Sequence, residues 1–183
     1  MEKLTKILMI AVIAIMASCS KEGPQGPAGT NGTNGVDGNA NVKYSDWFTP
    51  SPWVATTAYG TKDFAYTKTD AAITQSIIDN GVVLVFGKLA GYNPSIWPST
   101  RVSQLPIVVN YVSSGAQIDT WSAYLTLGTL TIDFKNNNNY YNNISITNQF
   151  RYVIIPSSSH LRLSKPLQSM TYDEICSLYN IPK

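Results

Sequence analysis

From Gly23 to Ala40 glycine recurs at every third position, with Gly23, Gly26, Gly29, Gly32, Gly35 and Gly38 opening the triplets GPQ, GPA, GTN, GTN, GVD and GNA. At a background glycine frequency of about 7%, six in strict register arise by chance on the order of 10⁻⁷ times per starting point, so the period is a true repeat. Its physical rationale is that only a residue without Cβ fits at the crowded axis of three wound polyproline-II chains. Pro24 and Pro27 preset the backbone in the first two triplets, whereas Thr30, Thr33, Val36 and Asn39 take that place in the last four, so stiffness fades toward Ala40. Wound, the segment spans about 50 to 55 Å; unwound, it is a flexible linker of roughly 20 to 25 Å root-mean-square length. Six proline-poor triplets do not hold a triple helix alone, so winding needs a trimeric head or crowding at a membrane. A homotrimer and a disordered monomeric spacer both stay open, and both make residues 23–41 a stalk.

Upstream, Lys3 and Lys6 precede the apolar run Ile7 to Met16, which closes on the small pair Ala17-Ser18 before Cys19. That order is a secretory signal over residues 1–18. The apolar run is roughly half the length of about twenty residues that a membrane-spanning helix requires. Met16-Ala17-Ser18-Cys19 resembles the lipobox of bacterial lipoproteins, with Met16 where leucine is usual. The resemblance implies lipidation at Cys19, with residues 19–22 as the anchored N-terminus, and three acyl chains make release from a bilayer negligible. Ser20, by its similarity to lipoprotein sorting signals, implies the outer membrane, and Lys21-Glu22 resembles signals for display at the cell exterior.

Every Trp, Tyr and Phe lies at or beyond Tyr44, which marks a boundary near residue 42. Residues 42–183 make one domain of ordinary size, long enough to bury about two thirds of its unfolded surface. The formal charge is only +2, and loss of residues 1–18 removes Lys3, Lys6 and Glu2 and lowers it further. Without a clustered basic face, nucleic acid is excluded as a partner. Cys176 is the only other cysteine, so no intrachain disulfide forms once Cys19 is acylated and the head relies on its core.

Runs rich in β-branched and aromatic residues predict strands near Phe64-Tyr66, Val82-Gly87, Ile107-Ser113, Thr120-Thr126, Leu130-Phe134, Ile144-Thr147 and Phe150-Ile155. The fold class that follows is mainly β, an antiparallel β-sandwich or barrel-like head with one or two short helices. Val82 to Phe86 is apolar throughout and reads as a central strand covered on both faces. Leu130, Ile132 and Phe134 alternate with polar residues, which predicts one buried and one wet face. Trp121 reads as a core tryptophan. A first helix is expected over Ala71 to Asp79, capped by Asp70. A second is expected after the capping box Thr171-Tyr172-Asp173-Glu174, with Tyr172, Ile175, Cys176 and Tyr179 on its docking face.

Catalytic signatures are absent: there is no GxxxxGK[ST], strand-led GxGxxG, GxSxG, HExxH or paired CxxC. His160 is the only histidine, which removes a multi-histidine metal site. Asp70, Asp173 and Glu174 have helix-start roles and Asp79 precedes a turn, and no spacing pairs Asp46, Asp63, Asp119 or Asp133 as glycosidase acids. No carboxylate cluster suits calcium. No catalytic residue, metal or cofactor is expected, and a glycan-acting enzyme is the remote alternative.

The informative surface is aromatic and amide-rich. Asn138, Asn139, Tyr140 and Tyr141 in the run Asn136 to Asn143, with Tyr92 and Trp97 in the loop Gly91 to Pro98, form the candidate binding surface. Tyrosine beside asparagine offers rigid contact area and adaptable hydrogen bonds, suited to a glycan or a surface protein. The alternative is a polar hairpin whose asparagines accept left-handed geometry, with Trp97 tucked in to pin its loop.

From Cys19 to Ala40 the chain resembles the bacterial collagen-like lipoproteins, on the lipobox cysteine and the six triplet glycines. Ile77 to Val83, Gly91-Tyr92-Asn93-Pro94 and Gln149-Phe150-Arg151-Tyr152 look like head domains carried by such lipoproteins, a resemblance that brings no activity. The expected protein is therefore a lipid-anchored outer-membrane protein, displayed at the cell surface, whose non-catalytic head serves binding or adhesion. Its alternative is a structural envelope protein whose head trimerises the stalk.

Overall fold

In the computed structural model, residues 41–159, 163 and 165–183 are described; the expected signal sequence, Cys19, the triplet glycines of the expected stalk and His160 lie outside the described residues. The described strands are β1 (Lys43–Tyr44), β2 (Val54–Ala58), β3 (Thr61–Thr69), β4 (Val82–Lys88), β5 (Val102–Gln104), β6 (Ile107–Val112), β7 (Ala116–Thr126), β8 (Thr129–Asn136) and β9 (Gln149–Ile155). Two helices, α1 (Gln75–Asn80) and α2 (Tyr172–Tyr179), accompany them. The strands form two antiparallel sheets, ordered β1-β9-β4-β5 and β2-β3-β8-β7-β6. The fold is mainly β with few helices, consistent with a β-sandwich.

The unbroken apolar run of β4 is explained by its position. Val85 joins Phe150, Tyr152 and Ile154 of β9 in a core shared with Phe64, Trp121, Ile132 and Phe134 of the second sheet. Leu84 and Phe86 point the other way, where with Val153 and Ile155 they meet Tyr172, Ile175, Cys176 and Tyr179 of α2. A strand buried on both faces has no position for a polar side chain except one with internal partners. The helix docks with the face its sequence predicts, and its capping box is present: Glu174 N–H donates to Thr171 Oγ1 at 3.2 Å and Thr171 N–H to Glu174 Oε2 at 2.7 Å.

Three expectations are corrected, and one strand was not foreseen. Ile144 to Thr147 is not a strand: Thr147 N–H and the Thr147 hydroxyl both bond Ser145 Oγ, a local turn that competes with a ladder, while Ile144 is buried as a loop anchor. Asp70 does not cap the first helix, which begins later with Thr74 as its cap. The Asp70 carboxylate accepts instead from Ala72 N–H at 2.8 Å and from the Tyr152 hydroxyl at 2.6 Å. The outer face of β8 is not wet at its centre: Thr131 and Asp133 are buried between β3 and β7, with Thr67 and Ser122 as hydrogen-bond partners. Finally, β2 carries no sequence signal because all five of its residues are exposed and lack apolar alternation.

Candidate functional site

The inner faces of β7 and β8 set Trp121 beside Phe134, and two loops rise next to them. Ala90 to Tyr92, which follow β4, form one wall; Tyr141, Asn143, Ile144, Ser145 and Asn148, between β8 and β9, form the other. Trp121 and Phe134, with ring centroids 4.4 Å apart, make the floor of this cleft of about 400 Å³. Phe134 also meets the edge of Tyr141, at 5.1 Å. Asn148 ties the walls together, accepting from Ala90 N–H at 2.8 Å and donating to Ser145 O at 3.3 Å.

Behind the aromatic walls sits Asp119, fully buried on β7. Its Oδ2 accepts from the Tyr92 hydroxyl at 2.7 Å and the Tyr141 hydroxyl at 2.6 Å; its Oδ1 accepts from Asn136 Nδ2 at 2.7 Å. Because each phenol has one proton, the directions of the neighbouring bonds follow. Tyr111 donates to Tyr141 across 2.7 Å, and Trp121 Nε1–H donates to the Tyr92 oxygen across 3.1 Å. One carboxylate thus fixes a tyrosine from each wall. Burial first, and Asp119 second, push the Tyr92 and Tyr141 hydroxyls far above the ordinary phenol range, and burial lifts Tyr111 as well. Both wall tyrosines remain neutral donors at physiological pH.

The six residues singled out from sequence separate into three groups. Tyr92 and Tyr141 reach the cleft, and Tyr140, half exposed, stacks edge-on beside Tyr141 at 5.4 Å. Asn138 and Asn139 are exposed, but their amides hold the fold. Asn138 Nδ2 donates to Ala116 O at 2.8 Å; Asn139 accepts from Lys62 N–H and donates to Gly60 O, both at 2.7 Å. Asn139 also takes the left-handed conformation anticipated for this run, with φ of 54°. Trp97 is only 4% exposed, packed in the shared core with the Arg101 guanidinium stacked over it at 4.1 Å, so it is not an exposed anchor. An apolar ring of this size gains more from the core than from water.

Asp119, Phe134, Asn143 and Asn148 were not singled out, and Trp121 was read as core alone. The available signal was Asp119 itself: it occupies an inward position of β7 between Gln117 and Trp121, where period-2 alternation leaves no solvent for a carboxylate.

The register of β3 against β8 also makes a carboxylate pair that no spacing revealed. Asp63 lies opposite Lys135, whose Nζ is 3.3 Å from Asp63 Oδ2 and 3.2 Å from Asp133 Oδ2. Burial first, then Asp133, push the Asp63 carboxyl up to about 6 despite Lys135. This cluster is on the outer sheet face, whereas among the described residues no acid, histidine, lysine or arginine lines the cleft. A carboxyl raised by folding stabilises the native state below its unfolded value, near 4, and that contribution is lost as pH rises through about 6. Residual solvent reduces its magnitude to about 1 kcal/mol. Asp63→Asn is therefore expected to raise unfolding free energy at pH 7.5 by about 1 kcal/mol more than at pH 4, measured by urea titration at both values. An equal effect at both pH values counts against the assignment.

Among the described residues, no three His, Cys, Asp or Glu side chains come together as a metal site, and no helix is long and apolar enough to cross a membrane. No protein-family model matches the chain, and no curated protein or solved structure matches it. What the cleft does must be read from its own geometry.

Proposed function

We propose that this chain is a cell-envelope lipoprotein, anchored to the outer membrane through Cys19. It displays a β-sandwich head, residues 42–183, on the collagen-like spacer 23–41, for binding at the cell surface. The observation that carries the binding reading is the pre-shaped aromatic cleft, whose two wall tyrosines are held by Asp119. A site with locked, neutral donors and no acid or base in its lining favours recognition over turnover. The anchor rests on the order of Lys3, Lys6, the apolar run and Cys19.

A structural, trimeric reading stands second, supported by the exposed Val108, Val112 and Ile118 on the outer face of β6 and β7, a patch suited to a second copy if the stalk is wound. A single preparation addresses both. Expressed in a bacterium that exports lipoproteins, the full-length protein is expected to take up radiolabelled palmitate and sediment with membranes, and Cys19→Ala to do neither. Equal membrane partitioning of the variant defeats the anchor. The detergent-solubilised parent, probed against glycan and surface-protein arrays, is expected to bind at least one component. A silent array removes the binding reading, and a monomer in the ultracentrifuge at high concentration removes the trimeric one.

A further inference from the structure

We infer that the cleft between Tyr92 and Tyr141 binds a neutral sugar residue, with the apolar face of the ring against the aromatic side chains and its hydroxyl edge toward the loop amides. The inference rests on the binding reading above and names the ligand class for that site. Size comes first. A volume of about 400 Å³ lies near the lower end for small-molecule sites, which suits one sugar ring with part of its neighbour and not a folded protein surface.

Charge narrows the class. Among the described residues no ionised side chain lines the cleft, and the carboxylate behind it already accepts three hydrogen bonds. An anionic or cationic ligand entering the cleft exchanges its hydration for an uncharged wall, a loss that nothing there offsets. The ligand is therefore neutral.

The lining presents two chemistries on opposite sides. The two half-buried tyrosines, over a floor of the buried Trp121 and Phe134, supply an apolar, aromatic side. Asn143 and Ser145 supply the polar rim, and Asn143 makes no hydrogen bond to the protein among the described residues. A free side-chain amide offers donor and acceptor together, the pair that two adjacent hydroxyls require. A purely apolar molecule leaves that amide idle, whereas a sugar ring carries a C–H face and a hydroxyl edge on one rigid frame. Asp119 holds both wall tyrosines before the ligand arrives, so little side-chain freedom is lost on binding. For a ligand of a dozen atoms the expected dissociation constant is on the order of 1 mM, lowered in effect by many copies on one membrane.

The test is saturation-transfer NMR on the full-length lipoprotein in lipid nanodiscs, with glucose, galactose, mannose and N-acetylglucosamine as probes and glucuronic acid as the charged control. At least one neutral sugar is expected to receive saturation at about 1 mM, with glucuronic acid at background. Asn143→Ala, at an exposed position, is expected to weaken that sugar about fivefold. Ser145→Trp, which fills the cleft from its exposed rim and gives up the two Ser145 Oγ turn bonds, is expected to abolish binding while the head still melts in one cooperative step. No transfer to any neutral sugar at about 20 mM, transfer to glucuronic acid as strong, or transfer unchanged in Ser145→Trp each overturns the inference. Array binding that survives Ser145→Trp leaves the binding head standing and the sugar cleft refuted; a silent array removes both.

Discussion

Asp119→Ala is expected to destabilise the head by about 4 kcal/mol and to lower its melting temperature by roughly 10 °C. The side chain is fully buried and is the common acceptor of Tyr92, Tyr141 and Asn136, so its loss strands one buried and two half-buried donors. Each stranded buried donor costs about 1 to 3 kcal/mol, moderated where a hydroxyl can rotate toward another acceptor. Structural consequences follow the same bonds. Asn136 also accepts from Asn138 N–H at 2.9 Å and Tyr140 N–H at 3.0 Å, so the turn after β8 is organised from the same point. Tyr141→Phe and Tyr92→Phe each remove one donor together with its proton and should cost about 1 kcal/mol. The cycle with Asp119→Ala measures the coupling, expected at 1 kcal/mol or more. Unfolding by guanidinium with an Asp119→Ala penalty under about 1 kcal/mol shows that the carboxylate does not hold the cleft together.

Arg151→Met is expected to cost about 3 kcal/mol, chiefly at the two ends of the head. Arg151 is 3% exposed on β9, on the face turned toward α2. No carboxylate pairs with it among the described residues. Its charge is met instead by dipoles: Nε donates to Ser45 O at 2.8 Å, and Nη1 to the Tyr172 hydroxyl at 2.7 Å and to Pro182 O. The Tyr44 ring lies against its guanidinium at 5.0 Å. One side chain therefore links the segment where the head begins, the first turn of α2 and the C-terminal residues. Methionine fills the apolar stem's volume but leaves two carbonyls and a phenol without their donor. Amide exchange is expected to accelerate most at 42–45 and 179–183, with the centres of β4 and β8 following only the global loss. Uniform acceleration across the head argues against a local clamp.

Some elements could be read without the structure because their determinants lie within a few residues of one another. The apolar run of β4 and the Thr171–Glu174 box each state their own partner or period, and each forms as expected, whereas the alternation of β8 places Leu130, Ile132 and Phe134 in the core but does not show that β3 and β7 cover its other face. The helix at residue 75 was placed too early for a related reason. Asp70 and Thr74 are both competent caps, and only the Tyr152 hydroxyl, 82 residues away, takes the Asp70 carboxylate for another purpose. In the asparagine run the composition pointed to a polar loop with left-handed geometry, but not to the Ala116 and Gly60 carbonyls that occupy its amides.

The residues alone therefore established a β-rich head, its central strands, its C-terminal helix and the sharp break in composition near residue 42. Tertiary packing decided which aromatic rings face a cleft: Trp97 went into the core, while Tyr92 and Tyr141 became walls because both reach Asp119, 27 and 22 residues away in the chain. The division is physical. Periods and caps are set by neighbours within a turn or two of backbone, whereas a buried carboxylate selects its donors only after the sheets have met.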